Sequence, residues 1–155
     1  MYLNFFSINY VSPDFNTEFG YLPRTDVLTI PVETSYRYYP ESNVFKMISP
    51  IYYGRHTRDS SSGLRESYNF LGLSFTLPHQ TQLRVEKIFA SEVFAAKRFD
   101  RGAYGMTAES QLIKQIRLSL SFRKGKYICY DPQSRYHGKG TRASIGLMIQ
   151  PVRAS

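Results

Sequence analysis

Period-two alternation constrains this chain more than any other feature. In IRLSLSF (Ile116 to Phe122), Ile116, Leu118, Leu120 and Phe122 fall on one side and Arg117, Ser119 and Ser121 on the other. RASIGLMIQ (Arg142 to Gln150) repeats the arrangement, with Ala143, Ile145, Leu147 and Ile149 set against Arg142, Ser144, Gly146 and Gln150. Such alternation is the mark of a strand whose two faces meet different surroundings. Leu71, Leu73, Phe75 and Leu77 oppose Gly72, Ser74 and Thr76. Leu83, Val85 and Phe89 oppose Arg84 and Glu86, and only Lys87 breaks the rule there.

The pattern predicts an all-β chain of about eight antiparallel strands in an up-and-down meander. They fall near 2–11, 26–39, 44–56, 64–77, 81–94, 103–109, 115–128 and 140–150. Short connections are expected at Pro40 to Asn43, Pro78 to Gln80 and Ser110 to Lys114, and longer polar ones at 12–25, 57–63, 95–102 and 129–139. Strict alternation of short turns with long loops belongs to an outer-membrane β-barrel, or a segment of one, in a single domain over 1–155. Pro31 and Pro50 lie inside strand-like runs, which marks those positions as edges or bulges.

Composition narrows the alternatives. With 42% hydrophobic and 21% charged residues, and with 13 Tyr and 11 Phe, the chain is too apolar for disorder. The net charge of +8 suits an anionic partner. Its Arg and Lys residues are spread through the polar connections instead of clustered on one arm, which argues against nucleic acid. A single cysteine, Cys129, excludes an intrachain disulfide. MYLNFFSINY carries none of the marks of a signal peptide, so export would require a signal upstream, in a longer chain.

No catalytic constellation is legible. His56, His79 and His137 stand at no ligand spacing, so neither a metal nor another cofactor is expected. HGKGT (His137 to Thr141) lacks the spacing and the following helix of a phosphate loop. Asp131, Ser134 and His137 share a loop, without the strand–turn–helix elbow that presents a nucleophile. Two loops are dense in polar and aromatic groups: Ser12 to Asp26, which contains Arg24, and Tyr130 to Gly140, where Tyr130 and Tyr136 interleave with Arg135 and Lys139. Aromatic rings beside cations suit sugars and phosphates. With Arg98 and Arg101 of the FAAKRFDRG stretch, these residues are the expected contacts to anionic glycan or lipid.

SPDFNTEFGYLPRTDV, followed by a strand ending YRYYP, carries a resemblance, as do SFTLPHQTQLRVE, FAAKRFD and IRLSLSFRKGKYICYDPQSRYHGKGTRASIGL in the same order. Together they resemble the C-terminal barrel region, a domain of unknown function, of a bacterial family of large outer-membrane proteins. The N-terminal part of that family resembles a family-nine carbohydrate-binding module. The resemblance implies location in the outer membrane, contact with outer-membrane lipid or lipopolysaccharide, and a link to polysaccharide through the separate module. It assigns no catalytic residue. IQPVRAS departs from the family in lacking a final strand that ends on an aromatic residue, so the chain reads as an internal barrel segment. The competing expectation is a soluble basic β protein that binds nucleic acid or serves as a structural module.

Overall fold

A computed structural model describes residues 1–15, 25–94, 97–113, 115–128 and 137–150. Among these described residues nine strands form one antiparallel sheet: β1 (Tyr2–Phe6), β2 (Asn9–Val11), β3 (Val27–Tyr36), β4 (Met47–Asp59), β5 (Arg65–Leu77), β6 (Thr81–Phe94), β7 (Lys97–Ile113), β8 (Ile116–Ile128) and β9 (His137–Ile149). From β3 onward, each strand pairs with the next in sequence, while β1 and β2 both pair with β3. The meander is open: β1 and β2 lie along one edge and β9 along the other.

The ninth strand arises from a proline. β1 and β2 lie in one continuous register on β3, from Tyr2 opposite Tyr36 to Val11 opposite Val27. Continuing that register sets Ser7 opposite Pro31. Ser7 donates its N–H to the Pro31 carbonyl at 3.3 Å, but Pro31 has no N–H to return. The ladder breaks there, and the single strand expected over 2–11 becomes two.

Pro50 acts in the same way on the other side of β3. Tyr38 and Ile48 exchange two backbone hydrogen bonds of 2.9 Å. Doubly bonded pairs recur every second residue. The next would join Tyr36 to Pro50, where the donor is missing, and β3 ends at Tyr36. Each proline thus sits within a long strand and costs one ladder bond at a place where the pairing already stops or is interrupted.

Two connections depart from the expected rhythm. β6 and β7 are separated only by residues 95–96, although 95–102 reads as a long loop. The charges of Lys97 to Arg101 obscure the strand, because both faces carry polar groups at this end of the hairpin. In the opposite sense, ten residues, 37–46, separate β3 from β4, where a four-residue turn is expected. The Ser42 hydroxyl accepts the Val44 and Phe45 N–H groups at 3.1 and 3.3 Å and shapes that bend. Below, the "turn end" holds the β3–β4, β5–β6 and β7–β8 connections, and the "loop end" holds the others.

Almost nothing packs across the sheet. Among the described residues only Val27, Phe99 and Ile128 are buried apolar side chains. The accessible surface is 11594 Å², against about 8,000 Å² for a compact monomer of this mass. A globular domain stacks at least two layers over a core; the described residues supply one.

Within the layer, rings cover glycines. A Cβ at Gly72 would lie 2.7 Å from the Phe70 ring on the same strand, and one at Gly140 would lie 2.8 Å from the Tyr127 ring on β8. Gly72→Val should displace Phe70 and cost about 1–3 kcal/mol. Gly102→Ala, whose Cβ would meet its nearest atom at 3.5 Å, should stay within about 0.5 kcal/mol. Equilibrium urea unfolding of the two variants checks the contrast.

Candidate functional site

Cross-strand register sorts every side chain onto one of two faces, since directly opposed residues share a face. One unbroken row runs Asn4, Thr34, Tyr52, Leu71, Lys87, Tyr104, Lys124, Thr141. Its face also carries Leu28, Ile30 and Val32 on β3, Leu73, Phe75 and Leu77 on β5, and Leu83, Val85 and Phe89 on β6. Met106 and Ala108 on β7, Leu118, Leu120 and Phe122 on β8, and Ala143, Ile145, Leu147 and Ile149 on β9 complete it. The other face carries Thr29, Glu33, Arg55, Thr57, Ser74, Arg84, Glu86, Glu92, Arg101, Glu109, Arg117, Ser119, Ser121, Arg123, Arg142 and Ser144. This second face is mixed near the middle of the sheet, where Tyr53 and Tyr68 meet edge to face at 6.0 Å.

The apolar residues form a slanting band. On β3, where Tyr36 extends the set that begins at Leu28, they centre near Val32, two residues to the loop side of Thr34 in the row. On β9 they centre between Ile145 and Leu147, about five residues to the turn side of Thr141. The intervening strands fall between: Leu71 to Leu77 start in the row itself, and Ile116 to Phe122 lie wholly on its turn side. The band therefore slides by about seven residues over six strand steps.

Lys87 is the cation inside the band, and its surroundings explain it. Its Nζ donates to the Tyr104 hydroxyl at 2.7 Å and lies 4.7 Å from the Phe89 ring centre and 4.4 Å from that of Tyr104. The stem runs along apolar surface while the ammonium is held by a hydroxyl and two π faces.

On the polar face, charges meet in pairs. Glu86, Gly105 and Arg123 are directly opposed on β6, β7 and β8. A Cβ at Gly105 would lie 2.6 Å from the Glu86 carboxylate, so glycine leaves the path open. Across that gap Arg123 donates to Glu86 at 2.5 Å, and the Glu86 side chain is 8% exposed. The far side of Arg123 faces Arg142, a like charge. Arg101 pairs with Glu92 on the same face.

The residues expected to bind anions are distributed unevenly. Arg98 is exposed on the apolar-band face at the loop end of β7. Arg101, three residues on, alternates to the opposite face and pairs there with Glu92, although both arginines border one depression. A strand replaces the expected loop, and its alternation separates them. Lys139 is exposed on β9 opposite Lys126, on the same face as Arg98. Arg24, Tyr130, Arg135 and Tyr136 lie outside the described residues.

Two cations that composition did not single out prove central. Arg58 and Arg65 end β4 and begin β5, directly opposite one another on the apolar-band face. Their equal distance from the centre of the DSSSGL turn was the available signal, since a hairpin sets such residues face to face. The nearby Asp59 carboxylate is committed to its own turn, accepting the Ser61 hydroxyl at 2.6 Å and the Ser62 N–H at 3.0 Å. The Ser61 hydroxyl foremost holds it below the usual carboxylate range.

His56 pairs with Ser67 within the sheet, and His79 occupies the β5–β6 turn with a φ of 54°. Among the described residues no three His, Cys, Asp or Glu side chains are grouped to hold a metal. Among the described residues no helix is long and apolar enough to cross a membrane, which does not bear on strands. Compared with known proteins, the chain matches no family model, no curated protein and no solved structure.

Glu86→Gln should leave Arg123 facing Arg142 without its counter-charge. A loss of about 1 kcal/mol is expected, modest because Arg123 is half exposed. Unfolding in low and high salt checks this: the gap from wild type should narrow as salt screens the arginine pair.

Proposed function

We propose that this sheet is wall of an outer-membrane β-barrel, serving as anchor or passage, with its slanting apolar band against lipid and its polar face toward the lumen. The slant carries the reading. A slide of about 1.2 residues per strand, with a rise of about 3.3 Å per residue and strands about 4.8 Å apart, corresponds to strands tilted by about 40° to the band's normal. Barrel strands cross membranes at about 35–45°. A level slab of hydrocarbon imposes this offset on tilted strands, whereas the second layer of a sandwich does not require it.

Three further observations support the reading. Among the described residues no second layer covers the apolar face. The cations on that face collect along the loop side of the band, as they do where strands leave hydrocarbon for headgroups. The polar face holds ion pairs and small residues suited to a hydrated interior. In this reading the open edges of β1, β2 and β9 are paired within a closed wall, since hydrocarbon leaves no partner for a free edge. The resemblance to the barrel region of carbohydrate-handling outer-membrane proteins accords with it; glycan binding there belongs to a separate module.

The chain should require detergent or lipid to stay dispersed; a monodisperse monomer in plain buffer defeats the proposal. Leu118→Arg, on the band, should cost about 2–4 kcal/mol in a lipid-reconstituted unfolding titration. Ser119→Arg, on the polar face beside it, should cost much less, and equal costs would count against the assignment of faces.

A further inference from the structure

We infer that the loop-end margin of the apolar face holds a seat for the phosphate of a lipid headgroup, built by Arg58, Arg65 and Arg98. This rests on the membrane reading and assigns its headgroup partner.

The three guanidiniums share one face and one level of the sheet. Arg58 is opposite Arg65; the β5–β6 pairing ends at Ser67 and Ser91, Arg98 lies opposite Val93 just beyond it, and all three arginines line one depression. Like charges set directly across an antiparallel pair repel, so this arrangement destabilises the bare sheet. None of the three forms a side-chain hydrogen bond or ion pair within the described structure. On the polar face, by contrast, Arg101 and Arg123 each hold a glutamate.

The space between them is shaped. A depression of about 490 Å³ is lined by the three arginines together with His56, Ser67 and Ser91. Ser91 is buried, and its hydroxyl lies 3.0 Å from that of Ser67. Leu28 and Ile30 of the apolar band form another part of the same wall. One ligand would therefore meet cations and hydroxyls at one end and continuous apolar surface at the other.

Two carboxylates are near, and they offset part of the arginine charge without balancing it. Glu66, also on the wall, accepts the Val93 N–H at 2.8 Å. Asp100 shares the arginines' face, opposite Ser91, so two negative charges stand against three positive. Guanidiniums match phosphate oxygens in geometry as well as charge. A soluble anion would use the cations alone, whereas a lipid phosphate also uses the apolar flank, which favours the lipid.

The test titrates the full chain, folded in neutral detergent micelles, with short-chain phosphatidic acid, and counts bound lipid by native mass spectrometry. Arg58→Gln/Arg65→Gln/Arg98→Gln should weaken binding by at least about tenfold. Arg84→Gln/Arg117→Gln/Arg142→Gln removes the same charge from the polar face and should leave binding within about twofold. If the triple variant does not fold, Arg65→Gln alone should lose about threefold.

Equal losses in both triple variants, or none in the first, overturn the inference. Inorganic phosphate or heparin competing as strongly as the lipid overturns it in favour of a free-anion or polysaccharide seat. Wild type that folds in micelles without preferring phosphatidic acid to phosphatidylcholine defeats the seat and leaves the membrane reading standing. A chain that stays monodisperse without detergent defeats both.

Discussion

A single sheet whose apolar face is left uncovered by the other described residues governs this structure. Burying apolar surface is the main drive to fold, yet only three apolar side chains among the described residues are buried. What the strands supply to one another is the backbone ladder and lateral contact between neighbouring side chains. Those hold the layer together without deciding what lies against it. Every other feature follows from that: the long strands, the sorting of residues by face, and the rings laid flat over glycines.

The position of charge along the strands is as informative as its sign. On the apolar face, cations gather where the band ends, and Lys87, which lies within it, is turned against aromatic rings and a hydroxyl. On the polar face, charges are spread along the strands, and Arg101 and Arg123 each hold a glutamate of β6. The same residue types therefore do different work on the two faces. Arg123 is a structural partner of Glu86; Arg65 faces only another arginine. In the membrane reading the first belongs to a hydrated interior and the second to the level of lipid phosphates.

The strand pattern was largely legible because period-two alternation is local. IRLSLSF and RASIGLMIQ announce their faces without reference to anything distant, and the structure sorts them as they read. The misreadings were local too. Lys97 to Arg101 look like a loop because alternation is invisible when both faces are polar. The strand expected over 2–11 divides because its partner is Pro31, twenty-four residues from Ser7. Much less of the candidate seat was legible. Arg98 stood out in a charged stretch, but Arg58 and Arg65 looked like ordinary loop margins, and Arg101 seemed equivalent to its neighbour.

By itself, the sequence determined that the chain is all-β, antiparallel and two-faced, since side-chain alternation and turn chemistry act over a few residues. Only the tertiary structure decided the register, and with it everything that depends on lateral position: the slant of the apolar band, the passage of Arg123 across Gly105 to Glu86, and the meeting of Arg58, Arg65 and Arg98. The physical reason is that hydrogen bonds between strands align residues far apart in sequence. A shift of one residue would move a strand's whole apolar set to the other face.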